Sequence, residues 1–172
     1  KGITWGGSLV RTEATGYGTV FFAQHMLETK GTSFEGKRVV VSGSGNVAIY
    51  AMQKAQQLGG HVVACSDSSG YVVDEAGIDV DLVRQVKEVE RARIAEYAAR
   101  RPSAKFVEGA RGWELGAHVA LPCATQNELD EQDAKAPIAA GVLAVAEGAN
   151  MPTTPAAISM LQDAGVLFAP GK

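Results

Sequence analysis

The stretch Gly43-Ser44-Gly45-Asn46-Val47-Ala48 constrains this chain more than any other, because of what stands on either side of it. Before it runs KRVVVS at 37–42, a short apolar run of the kind that forms a strand buried on both faces. After it, residues 47–58 carry a helical pattern. A G-x-G-x-x-A string alone is a weak signal, but between a strand and a helix it is the pattern of a phosphate-binding turn. Gly43 permits the tight turn, Gly45 lets a diphosphate approach the backbone, and Ala48 lets helix and strand pack closely. Ser44, Asn46 and Val47 complete the turn, whose N–H groups would meet phosphate at the positive end of the helix dipole. The plainer alternative is a Gly-rich turn without a ligand, and the strand–turn–helix context favours a dinucleotide over it.

Elsewhere, short apolar runs alternate with longer periodic segments, the pattern of a mostly parallel sheet with helical crossovers. Residues 13–30 are expected to be helical, with Gly16 and Gly18 weakening the first turn. Strands are expected at 37–42, 61–66, 105–108, 117–122, 142–146 and 166–169, with a short extended piece at 71–73. A charged amphipathic helix is expected over 81–100, with Leu82, Val86, Val89 and Ile94 turned inward, and another helix over 155–164. Five or six strands so arranged predict an α/β fold: a Rossmann-type, doubly wound sheet with helices on both faces, built as one domain from all 172 residues.

The second strand ends at Asp67, 22 residues beyond Gly45. An acidic residue there suits the adenine-ribose hydroxyls of NAD. Yet Ser68, Ser69 and Gly70 follow it with hydroxyls and backbone donors suited to a 2′-phosphate, and Lys87, Arg91 and Arg93 lie on the next segment as its cationic partners. The same three basic residues, interleaved with Glu88 and Glu90, also fit a solvated helix face. On these residues alone, NAD and NADP are evenly matched.

The formal charge of −3 provides no basic field for nucleic acid or an anionic membrane. No apolar run reaches the roughly 20 residues of a membrane span, and residues 1–11 lack the pattern of a secretory leader. Cys65 and Cys123 lie far apart without metal-ligand spacing, which fits a reduced, cytoplasmic setting. Cys123 is tempting as a nucleophile, but neither His61 nor His118 is spaced to activate it, so a buried thiol is expected. His25, His61 and His118 form no zinc pattern, and no metal site is expected.

Several longer strings bear a resemblance: WGGS at 5–8, RTEATGYG at 11–18, GSGNVA at 43–48, SDSSG at 66–70, ALPCATQNEL at 120–129, AEGANMPTT at 146–154 and FAPGK at 168–172. In this order they resemble the hexameric glutamate dehydrogenase family of bacteria, and they cover only its cofactor domain. The resemblance implies interconversion of L-glutamate with 2-oxoglutarate and ammonia, and the SDSSG string resembles the branch that uses NADP (NADPH). It also implies residue roles. Thr15 would bond the nicotinamide carboxamide, with Arg11 close by; Asn46 would contact the cofactor from the glycine turn. Ala124, Thr125 and Gln126 would lie beside the nicotinamide ribose, and Asn150 would bind it. Asp67, Ser68, Arg91 and Arg93 would surround the adenosine end.

In such a family the substrate lysines, the catalytic lysine and a proton-moving aspartate belong to a preceding substrate domain. No catalytic residue is therefore expected in this chain. It is expected to bind NADP(H) without turnover, its partner being the remainder of its own subunit. Residues 1–12 would be hinge-like, the parent a homohexamer and the isolated domain a monomer. Two other readings stay open: the cofactor domain of a leucine- or phenylalanine-type dehydrogenase, and a non-catalytic nucleotide-sensing module on the same fold.

Overall fold

The computed structural model describes residues 11–171. The expected hinge therefore falls, apart from its last two residues, outside the described residues, and so does the WGGS string.

Helix α1 (Ala14–Glu28) leads to strand β1 (Arg38–Val41), helix α2 (Asn46–Gln57) and strand β2 (His61–Asp67). A hairpin then gives β3 (Gly70–Asp74), followed by α3 (Val80–Arg84), a π-helical turn at Gln85–Val89, α4 (Ala95–Arg100) and β4 (Ala104–Glu108). After a 3₁₀ turn at Trp113–Leu115 come β5 (Val119–Leu121), α5 (Glu131–Ala139), β6 (Ala144–Ala146), α6 (Pro155–Asp163) and β7 (Leu167–Ala169).

The seven strands form one sheet in the order β4-β3-β2-β1-β5-β6-β7. β1 runs parallel to both β2 and β5, with Val39 opposite Val62 on one side and Val119 on the other. β5, β6 and β7 continue in parallel. The other edge differs from the expected pattern of crossovers, since β3 pairs antiparallel with β2 and β4 antiparallel with β3. The turn from Asp67 to Gly70 is too short for a crossover, so the chain must fold straight back.

Strand alternation divides the core in two. Val39 and Val41 pack on one face with Val20 and Leu27 of α1, Ile49 and Met52 of α2, and Tyr97 of α4. Val40 and Val145 point to the other face, against Ala134 of α5, Ala157 and Leu161 of α6, and Trp113. Val39, Val40 and Val41 are apolar without alternation because both faces of their strand are covered.

Two expectations change. The helix expected over 81–100 is interrupted: α3 passes into the π turn, and the backbone breaks before α4, with Arg91 at φ +55°. Val86 and Ile94 are buried as expected, but the interruption turns Val89 outward to 66% exposure. The break is fixed by tertiary bonds, since Asp67 accepts the Ile94 N–H and the Ala92 carbonyl accepts from Lys87. The second change is an addition: α5 lies where the sequence reading placed no element, and Pro137 in its interior argues against a helix there. A capping box at its start, in which Asp130 accepts from the Gln132 and Asp133 amides, compensates.

Gly16 has a packing reason rather than being a weak point. A Cβ there would meet the Val47 carbonyl oxygen at 2.6 Å and the Ala51 amide nitrogen at 2.7 Å, so α1 and α2 touch backbone to backbone. Gly16→Ala must push the helices apart and should cost about 1–3 kcal/mol, the range for overpacking. Urea unfolding reads this directly, and Gly18→Ala, where a Cβ meets nothing within 4 Å, is the control expected to be neutral or stabilising.

Candidate functional site

The order of the strands reverses at β1, whose neighbours β2 and β5 lead to opposite halves of the sheet. Carboxyl ends of strands at such a switch point leave a crevice. Here a cleft of about 740 Å³ opens there, lined by the glycine turn at 43–47, the end of β2, the loop after β4 and the loop after β5.

Gly43 takes φ +83°, and a Cβ there would lie 3.0 Å from the Cys123 carbonyl oxygen and 3.1 Å from Ala124 Cα. Both the left-handed backbone and the close approach to the β5 exit loop require glycine. Its N–H donates to Ser66 Oγ at 2.9 Å, tying the turn to β2. Gly45 is different. Its φ is −87° and a Cβ would meet no protein atom within 4 Å. Protein packing does not call for glycine at 45, whereas a ligand laid against the backbone would. No side chain caps the start of α2, whose first residues line the cleft, and uncapped first-turn amides are the kind of group that receives an anion. Asn46 lies in the cleft lining, with its side-chain amide donating to the Thr12 carbonyl at 2.7 Å.

At the end of β2, Asp67 is tied into the protein. Its Oδ1 accepts from the Ser69 amide at 2.8 Å and the Ser69 hydroxyl, and its Oδ2 from Lys87 Nζ at 3.0 Å and the Ile94 amide at 2.9 Å. Burial by itself raises the carboxyl pKa, but the bonds from Ser69, Ile94 and Lys87 outweigh it and hold the group down at about 2. The carboxylate is thus spent on internal donors and its charge is matched by Lys87. Beside it, Arg93 Nη1 donates to Ser68 Oγ at 2.6 Å, and Ser68, Lys87 and Arg93 all face the cleft. Arg91, in the left-handed break, is exposed and lies outside the lining.

Ala124, Thr125 and Gln126 form the opposite wall and are exposed. Thr15 stands apart, in a second recess of about 270 Å³ bounded by α1, the loop after β6 and residues 169–171. It is the second residue of α1, whose N-cap is Glu13, so capping does not account for it. Asn150 is exposed on the loop after β6, and Arg11 is exposed before α1; neither lines either depression.

Glu128 and Arg111 also line the cleft, and nothing in the sequence pattern points to them. Glu128 is buried; Arg111 donates to the Glu128 carbonyl and to Asp133 Oδ2. Cys123 borders the cleft, but it is buried, and burial pushes its thiol far above the usual range, so it has no nucleophilic character. Cys65 is likewise pushed up to about 12 by burial. Among the described residues there is no cluster able to hold a metal ion, and no helix is long and apolar enough to cross a membrane.

Comparison with known proteins decides the family. The model of the glutamate/leucine/phenylalanine/valine dehydrogenase family matches residues 6–172. The chain belongs to this family. It is 55% identical, over its whole length, to the NAD(P)-specific glutamate dehydrogenase of Xylanibacter ruminicola, of which it covers 39%. It is 54% identical to the NADP-specific glutamate dehydrogenase of Escherichia coli, again covering 39% of that protein. Among solved structures, Plasmodium falciparum glutamate dehydrogenase 2 superposes with a TM-score of 0.92 at 39% identity, over 99% of this chain and 38% of the other. The chain thus spans about two-fifths of the length of the dehydrogenases that it matches.

The Asp67 network makes a pH prediction for this member of the dehydrogenase family. An unfolded aspartate titrates near 3.9, so a folded value of about 2 means stabilisation that is complete above about pH 4 and lost as pH falls towards 2. Urea titrations of the chain should show this acid loss, and Asp67→Asn should flatten it while lowering stability at pH 7. An acid slope unaltered by the substitution would contradict the network.

Proposed function

We propose that this chain is the NADP(H)-binding domain of a glutamate dehydrogenase, and that alone it binds the cofactor without turning over glutamate. The observation that supports this best is the pairing of two features in one cleft. One is an uncapped helix start preceded by Gly45, whose missing side chain leaves room only a ligand would need. The other is a cationic corner of Lys87 and Arg93 with the Ser68 hydroxyl, where Asp67 is already neutralised.

The first feature suits a diphosphate: backbone N–H groups and the helix dipole receive it. The second suits a 2′-phosphate. A free carboxylate at Asp67 would accept ribose hydroxyls and repel a phosphate; bonded to Lys87 and three other donors, it holds Lys87 in place instead. Ser68 and Arg93 then offer charge-assisted hydrogen bonds from the rim. The names of the relatives agree, since the Escherichia coli enzyme is NADP-specific and the Xylanibacter ruminicola enzyme NAD(P)-specific. They also favour glutamate over leucine or phenylalanine as the parent's substrate.

When bound, the cofactor supplies hydride chemistry between L-glutamate and 2-oxoglutarate with ammonia. This chain's part is to hold and orient it. The 124–126 wall would lie along the nicotinamide ribose. Thr15, with an exposed hydroxyl able to donate and accept, suits the carboxamide, with Arg11 and Asn150 beside the same end. The groups that bind glutamate and move protons would come from the remainder of the subunit, and the whole would assemble as a homohexamer.

Calorimetric titration with NADPH and NADH tests this reading, with tighter binding of NADPH expected. Arg93→Ala should weaken NADPH by about 1.5–3 kcal/mol, the scale of a hydrogen bond to a charged group, and leave NADH nearly unchanged. Arg91→Ala should change neither. A preference for NADH would overturn the 2′-phosphate assignment. Glutamate-dependent reduction of NADP by the pure chain should be absent, and steady turnover would show that the chemistry resides here after all.

A further inference from the structure

One buried ionisable group in the cleft has no part in the reading above. Glu128 is 7% exposed, yet it lines the cleft proposed for the cofactor. Its Oε1 accepts from Ser42 Oγ at 2.7 Å and from the Ala124 amide at 3.0 Å. The Ser42 oxygen in turn accepts from the Cys123 amide at 2.8 Å. The carboxyl therefore joins the end of β1, one residue before the glycine turn, to the β5 exit loop, which presses on Gly43.

All of these donors are neutral, and no cation forms an ion pair with the Glu128 carboxylate among the described residues. From the loop after β4, Arg111 is a neighbouring cationic side chain, but its guanidinium is engaged by the Glu128 backbone carbonyl and by Asp133. From α5 and its cap come Asp133 and Asp130, both anionic, and from the β5 exit comes Cys123, an un-ionised thiol. On β2, across the cleft, Asp67 is anionic and paired with Lys87. A buried carboxylate without a counter-ion is costly, and burial pushes Glu128 above the usual glutamate range, against the smaller opposing pull of its hydrogen bonds and of Arg111.

We propose that Glu128 is the protonation site of the dinucleotide cleft: an anionic cofactor seated on the glycine turn binds together with one proton, taken from solvent onto the Glu128 carboxyl. The inference rests on the dinucleotide reading above. Its physical basis is like-charge repulsion acting on a buried carboxyl. A diphosphate at the start of α2 brings negative charge into the cleft that Glu128 borders, and the neutral acid form removes the conflict. Protonation leaves an acceptor oxygen for Ser42 and Ala124, so the link between the two walls survives. Uptake is then greatest at pH values between the free and cofactor-bound pKa of this one group, and affinity falls as pH rises through that window.

The experiment is calorimetry of NADPH binding to the chain, in buffers of different ionisation enthalpy, over about pH 5.5–8. The dependence of the heat on buffer gives the number of protons taken up. Glu128→Gln keeps the shape and an acceptor but cannot titrate, so it should take up fewer protons than the parent chain. The deficit should approach, at its peak, about one proton. Titration of the cofactor's own 2′-phosphate is common to both proteins and drops out of the difference. Carbon-13 spectra of the parent chain supply a measurement independent of the variant's folding: the Glu128 carboxyl midpoint should move to higher pH when NADPH is added. Equal proton numbers in the two proteins, or a midpoint that stays put or falls while NADPH binds, overturns the role of Glu128 alone. Failure of NADPH to bind either protein overturns the dinucleotide reading with it.

Discussion

The contact between Gly43 and the loop after β5 is the constraint on which the rest of the cleft depends. The turn out of β1 must reach the start of α2 within a few residues, and it does so with no room for a Cβ between Gly43 and the Cys123 carbonyl and Ala124. That close approach fixes two things together: the direction in which the α2 amides point, and the height of the opposite wall. Ser66 holds the turn from β2, and Ser42 with Glu128 holds it from the far side. The mouth of the cleft is therefore set by bonded walls. Parallel pairing of β1 with both β2 and β5 aligns the strand ends that supply them.

Charge management in the cleft explains an otherwise odd piece of backbone. The segment after α3 has no proline or glycine to end a helix, yet it passes through a π turn and breaks with Arg91 in the left-handed region. The break lets the Ile94 amide and Lys87 both reach the Asp67 carboxylate, while Arg93 swings to Ser68. A continuous helix would keep its amides for its own carbonyls. The local cost of the break is thus offset by satisfying a mostly buried acid, and its by-product is a pair of cations, Lys87 and Arg93, in the cleft wall. The two acids of the cleft are treated in opposite ways. Asp67 is surrounded by donors and a cation and stays ionised at low pH, whereas Glu128 has only neutral donors on its carboxyl and is driven toward its acid form.

Much of this was legible before folding. The strand–turn–helix around residues 43–48, the run of strands, and the order of the family strings lie in local patterns of apolar spacing and glycine placement. Such patterns survive in sequence because they reflect backbone requirements of neighbouring residues. The antiparallel edge was less legible, since a short extended piece at 71–73 gives no sign of the strand beside which it will lie. The α5 helix was hidden by Pro137, whose cost in a helix is compensated by a capping box and by packing of Ala134 on the sheet.

By itself, then, the sequence determined the fold class, the place of the glycine turn between β1 and α2, and the family to which the chain belongs. These follow from residues adjacent along the chain, where propensity and spacing act directly. Only the tertiary structure decided the partner of Asp67, the separation of Arg93 from Arg91, the burial of Glu128 and the close approach at Gly16. Each of these is a meeting of segments distant in sequence, and the energy of a charge or a close contact depends on what surrounds it in space. Asp67 illustrates the difference: its position suggests a ribose acceptor, and its surroundings make it the anchor of a cationic corner instead.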